Sequence, residues 1–241
     1  MADESSTETD AEDPALDLAR AFAEIARTLL AEETLPATLT KICALAVSTI
    51  DGCDHAGITV VHKRELSTQG ATDDVPVRVD ALQYETNGGP CVDAIREHEV
   101  FQADDLAHDE RWPEFARRTV AETGVHSMLS FRLFAEADTM GALNLYSKET
   151  NAFDDAAREV GSVFAAHAAV AMSGAKENKQ MEDALLSRDV IGQAKGILMA
   201  RQDITEDVAF DLLRRASQRL NVRLAEVAKG VASGQQLPRQ A

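Results

Sequence analysis

Apolar residues recur at helical intervals at both ends of this chain and in short alternating runs in its middle. From Pro14, Leu16, Phe22, Ile25 and Leu29 follow near-helical spacing as far as Leu30. Thr34-Leu35-Pro36 then predicts a second helix to about Ile50, with Thr34 as its N-cap. Between Gly57 and Tyr146 the period shortens. Gly57 to Val61, Glu65 to Ala71, Glu99 to Gln102, Val125 to Phe134 and Met140 to Tyr146 read as strands, with turns at Lys63-Arg64 and around Glu136 to Asp138. Gly88-Gly89-Pro90 opens a short helix to Ile95, and Trp112-Pro113-Glu114 opens another to about Thr123. This mixture predicts an α+β fold, an antiparallel sheet flanked by helices.

Beyond Phe153 the pattern is helical throughout. One helix is expected from about Asp154 to Met199, with Asn178, Met181, Leu185, Arg188 and Gly192 spaced as an imperfect coiled-coil seam that would suit either a parallel dimer or a solvated helix. Thr205 can cap a helix that buries Val208, Leu212, Ala216 and Leu220. Asn221-Val222 ends it, and Leu224, Val227, Ala228 and Val231 line a last one. The C-terminal part is therefore expected to be an all-α three-helix unit.

Charge divides the chain in the same place. The net charge is −17, but the first 175 residues hold 13 basic against 32 acidic side chains, and the remaining 66 hold 11 against 9. Met1 to Asp13 carries six acids and no large apolar side chain besides Met1, and is expected to be disordered. The longest apolar run, Ser162 to Met172, is interrupted by His167 and falls well short of the ~20 residues a membrane span needs. The N-terminus lacks a signal-peptide plan, so a cytoplasmic protein is expected. Cys43, Cys53 and Cys91 are odd in number and without CxxC spacing, which argues against a disulfide framework and a zinc site.

Three C-terminal blocks carry a resemblance. Asp189 to Arg201 (DVIGQAKGILMAR), Asp207 to Phe210 with Leu213 to Ser217, and Asn221 to Ala228 resemble the ANTAR domain, an RNA-binding module of transcription antiterminators. Upstream, Leu35 to Leu39, Gln83 to Cys91, Arg111-Trp112-Pro113 and Gly141 to Tyr146 resemble, by their order and spacing, a GAF sensor domain of the kind joined to ANTAR in actinobacterial regulators. The resemblance implies a GAF-type sheet followed by a helical linker and a three-helix ANTAR bundle. The expected boundaries are 1–13 for the tail, 14–173 for the sensor, 174–187 for the linker, 188–233 for ANTAR and 234–241 for a flexible tail. It also implies no enzyme, and a homodimer that binds paired stem-loops in nascent RNA leaders and so keeps a terminator hairpin from folding.

The residues support a surface of their own. Projected at about 100° per residue, Val190, Ile191, Ala194, Ile197 and Leu198 form one buried arc. Arg188, Lys195 and Met199 lie opposite, beside Gly192 and Gly196, where a sugar-phosphate backbone can approach closely. On the next helix Arg214, Arg215 and Gln218 point outward, and Asn221 and Arg223 sit in the following turn near amides open to phosphate. Arg188, Lys195, Gly196, Met199, Arg214, Arg215, Gln218, Asn221 and Arg223 are thus the candidate RNA contacts. Phe210, set among apolar residues, reads as core. The competing explanation is a solvated face with an Asp211–Arg215 pair at i,i+4.

For the sensor half, Gln83, Cys91 and Met128 mark a candidate small-molecule site. Cys91 at a helix start is either a thiol activated for redox chemistry or a small core residue. His55 near Cys53, and His108-Asp109, lack a metal-ligand pattern, so no metal or cofactor is expected. Asp104-Asp105 and Asp109-Glu110 are read as solvating and capping the Trp112 helix. Two rivals stay open: a DNA-binding transcription factor with a GAF sensor, and a GAF dimerisation protein without nucleic-acid affinity. Against the first, Arg214-Arg215 precede the turn instead of following it.

Overall fold

A computed structural model describes residues 34–62, 65–97, 100–135 and 138–234, and Ala23 and Arg27 besides. The acidic tail, nearly all of the helix expected from Pro14, the Lys63-Arg64 turn, most of the Glu136 to Asp138 turn and nearly all of the C-terminal tail lie outside the described residues. The chain forms two compact units, one ending at Gly174 and one beginning at Ala175.

In the first unit, α1 (Leu35–Thr49) starts where Thr34 Oγ1 accepts from the Ala37 N–H. A five-stranded sheet follows in the order β2-β1-β5-β4-β3. Its members are β1 (His55–His62), β2 (Glu65–Ala71), β3 (Phe101–Ala103), β4 (Ser127–Ala135) and β5 (Asp138–Ser147). Every pairing is antiparallel. Both faces are covered. Leu129, Phe131, Leu133, Leu143 and Leu145 pack with Leu39 and Ile42 of α1 and with Phe164 and Ala168 of a later helix. Met128, Ala142 and Tyr146 point the other way, toward Val79, Leu82, Cys91, Trp112 and Phe115. The two faces alternate residue by residue, as pleated strands require. Gly70 lets α1 lie close on β2, since a Cβ there would stand 2.8 Å from the Leu39 backbone.

The second face is built by α2 (Asp74–Thr86), α3 (Pro90–Glu97), a 3₁₀ turn at Leu106–His108 and α4 (Pro113–Thr123). The strand expected over Glu99 to Gln102 is observed as the shorter β3, with Glu99 outside the described residues. The pattern of the sequence did not predict α2. Its inward positions include Asp80 and Gln83 beside Pro76, Val79 and Leu82, so two polar core residues hide the helical period. Asp73 caps its start by accepting from the Val75 N–H, and Asn87 ends it in the left-handed region at φ 52°. The acids near Trp112 act differently from expectation. Asp105 caps the 3₁₀ turn, and Asp109 accepts from the Arg111 backbone and guanidinium. Trp112 stands at the N-cap of α4 and donates its indole N–H to Asp93.

Helix α5 runs over Asp155–Gln202, close to expectation. In the second unit its end packs with α6 (Glu206–Leu220) and α7 (Leu224–Ala232) around Ala194, Leu198, Ala209, Leu213, Ala216, Val227, Ala228 and Val231, with Val190, Ile191, Ile197 and Leu224 partly buried against them. The expected inner faces of α5 and α7 are therefore present. That of α6 is turned by about one residue: Ala209, Leu213 and Ala216 are buried, Leu212 is half-buried, and Val208 and Leu220 are exposed. Thr205 occupies the N-cap with extended backbone, yet its side chain makes no capping hydrogen bond. Phe210, expected in the core, is 40% exposed.

Candidate functional site

The outer stripe of α5 holds the first group of candidate contacts. Arg188, Gly196 and Met199 are exposed, and Lys195 is half-buried. A Cβ added at Gly192 or Gly196 would meet nothing within 4 Å. Neither glycine is required by packing among the described residues, although each costs the helix about 1 kcal/mol relative to alanine. Together they leave a strip of helix backbone uncovered beside Lys195. The Lys195 ammonium pairs with Glu206 at the start of α6 and holds that carboxyl below its ordinary range.

Arg214, Arg215 and Gln218 are exposed on α6. Both arginines reach Asp211, at 2.7 Å and 3.3 Å, so the surface pairing weighed above is present and includes Arg214 as well. Exposed pairs of this kind contribute little to stability, and a phosphate can displace them. Asn221 ends α6 in the left-handed conformation at φ 52°, its N–H bonded to the Ser217 and Gln218 carbonyls. Arg223 is exposed at the N-cap of α7 without a capping side-chain bond. Among the described residues Arg188 and Arg223 make no ion pair.

In the sensor unit, β1, β2, α2 and α3 line an open cavity of about 590 Å³. Val61, Leu66, Val92 and Ile95 form its apolar walls, and Gln83, Tyr84, Asn87 and Arg96 supply polar groups. Of the three sequence candidates Gln83 lines it, whereas Cys91 and Met128 are fully buried outside its lining. Gln83 joins the cavity to the core, since its Oε1 accepts from the Cys91 N–H at 2.8 Å and its amide donates to Asp80.

Asp80 is the centre that the sequence reading missed. Its side chain is wholly buried and accepts from Thr59 at 2.7 Å, Thr68 at 2.8 Å and Tyr146 at 3.0 Å, with Asn144 and Tyr84 farther off. Burial pushes its carboxyl above the ordinary carboxylate range, against the hydroxyl donors, which favour ionisation. An acid among strand-like neighbours gives no sign in sequence that it is buried. The same network corrects the redox expectation for Cys91, because burial first and the Asp80 charge second push that thiol well up, away from a reactive thiolate. Burial also raises Cys53, to about 12. His55 and His108 bind Asp73 and Asp105, at 2.6 Å and 2.7 Å. Among the described residues no group of three His, Cys, Asp or Glu is arranged to hold a metal ion.

Comparison with known families follows the same division. A GAF domain model matches residues 32–173 and an ANTAR domain model matches 179–231. The chain is a GAF–ANTAR regulator. Solved structures agree on the sensor fold. The GAF domain of a phosphoenolpyruvate-protein phosphotransferase from Coxiella burnetii is 13% identical with a TM-score of 0.55, over 70% of this chain and 99% of that one. A corresponding Acinetobacter domain is 14% identical with a TM-score of 0.53, over 68% and 97%. A free methionine-R-sulfoxide reductase from Neisseria meningitidis, solved with its substrate, is 16% identical with a TM-score of 0.53, over 70% and 95%. At these identities the likeness establishes the fold alone. No curated protein matches the chain. GAF and ANTAR are regulatory domains, and ANTAR domains are generally RNA-binding. Among the described residues no helix is long and apolar enough to cross a membrane.

Proposed function

We propose that this GAF–ANTAR regulator is a signal-responsive transcription antiterminator of the cytoplasm and not an enzyme. Its ANTAR part, 188–233, binds paired stem-loops in a nascent leader and keeps an overlapping terminator from forming. The observation that carries this reading is the outer stripe of α5, where Lys195 and Met199 stand beside Gly192 and Gly196, over which nothing packs among the described residues. Arg188 and Arg223, without an ion pair among the described residues, can take phosphate. Arg214, Arg215, Gln218 and Asn221 supply further donors, of the kinds that read unstacked loop bases and backbone.

The sensor, 14–173, receives a small-molecule signal in the cavity lined by Gln83 and Tyr84, where Gln83 also accepts from the Cys91 N–H. The linker, 174–187, joins two copies of the chain, for which Met181 and Leu185 offer exposed apolar positions four residues apart. A gel shift with a two-hairpin RNA and a duplex DNA of equal length tests the reading. The wild type is expected to retain the RNA, and Lys195→Ala to weaken that binding with helicity unchanged. Preference for duplex DNA, or no binding of either at modest salt, overturns it.

A further inference from the structure

Phe210 has no part in the surface described above. Phe210 is 40% exposed and, among the described residues, makes no ring contact. It is also the only aromatic side chain in the sequence after Phe164. Its exposed ring face is open to a partner.

Its neighbours name the occupant. Glu206, Phe210 and Arg214 follow one another at i,i+4 on α6 and therefore share a face. Glu206 is paired with Lys195, so the cationic stripe of α5 adjoins this face one turn before Phe210. One turn after it comes the exposed guanidinium of Arg214. Seven residues beyond Arg214, on the same face, is Asn221, which has an amide and is held in the left-handed turn. The ring thus lies between two exposed ion pairs, Lys195–Glu206 and Arg214–Asp211, whose cations a phosphate can take over, with an amide farther along the same line.

Polyanionic single strands with unstacked bases need this combination: cations for the backbone, a π-face for a base, and an amide or guanidinium for base edges. Resting on the RNA-binding reading above, we infer that Phe210 is the stacking platform for a loop base of the hairpin, with Arg214 and Asn221 beside it. Val208 lies about 160° away around α6 and has no part in it.

The test uses the full chain and a two-hairpin RNA, with and without abasic sites in the loops. Phe210→Ala should weaken binding of the intact RNA about fivefold to a hundredfold, the range of base–aromatic stacking, while Phe210→Tyr keeps it. Against abasic loops the wild type should fall to the level of Phe210→Ala. Because the alanine variant could lose its fold, Phe210→Trp gives a second readout. Its fluorescence, measured with Trp112→Phe in the same chain, should be quenched by intact loops and unchanged by abasic ones.

Equal RNA affinity for wild type and Phe210→Ala, with the wild type binding well, overturns the inference and leaves the RNA reading standing. Loss of self-association in Phe210→Ala without loss of RNA affinity assigns the ring to a protein interface and also overturns it. A wild type that binds no hairpin RNA removes both.

Discussion

Asp80 places a carboxyl group in a site with no cation among the described residues, surrounded instead by hydroxyl and amide donors from β1, β2, β5 and its own helix. Because its folded carboxyl is raised, the folded chain holds a proton that the unfolded chain has released once pH passes the ordinary carboxylate range. The stability that Asp80 contributes is therefore present at acid pH and is lost as pH rises through the raised folded value. Asp105, Asp109, Glu122 and Glu206 are lowered and act in the opposite sense, losing their contribution as pH falls. The difference between wild type and Asp80→Asn isolates the buried group. Thermal unfolding of both from pH 4 to pH 8 should show the wild type losing stability relative to the variant as pH increases. Parallel curves would mean that Asp80 titrates as it does in the unfolded chain.

At the level of elements, α6 separates what periodicity can and cannot tell. Its apolar positions are numerous enough for several adjacent arcs to look buried, and the arc through Val208, Leu212, Ala216 and Leu220 was one residue off the observed Ala209, Leu213 and Ala216. The energetics should follow the observed arc. Leu213→Ala should destabilise the second unit by about 2–5 kcal/mol, as for other buried leucines, whereas Val208→Ser should stay within about 0.5 kcal/mol, as for exposed sites. Chemical denaturation followed by helicity compares them, and an equal loss from both would restore the first arc. Elsewhere the pattern was read well. The strands of the sheet, the helices opened by Thr34, Pro90 and Trp112-Pro113, and the long α5 stand close to where their caps and periods put them. Helix α2 was hidden because polar residues occupy its core positions, and the Asp80 network with it, since hydrogen bonding between strands and helix leaves no trace in local order. The stripe of α5 was legible for the opposite reason: apolar and cationic residues over the last few turns of one helix sort cleanly at its own period.

For the whole molecule the unequal distribution of charge sets the conditions under which RNA can be met. The segment 175–241 is nearly neutral and holds all the candidate RNA contacts, while most of the acidic side chains belong to the rest of the chain. A phosphate backbone approaching Lys195 or Arg223 is attracted locally and repelled at longer range, and the two effects differ in how salt screens them. Screening has a length of about 30 Å at 0.01 M ionic strength and about 10 Å at 0.1 M. Repulsion from the acidic part should therefore fade first as salt is added, while close ion pairs with phosphate persist. The segment 175–241 alone should bind a two-hairpin RNA more tightly than the full chain at low salt. The gap should narrow toward physiological ionic strength, and the full chain should show the shallower salt dependence of affinity. Titrating both against the same RNA across that range measures each slope. Equal affinity at low salt would show that the acidic part does not oppose binding, and control of the RNA surface would then have to come from the sensor cavity.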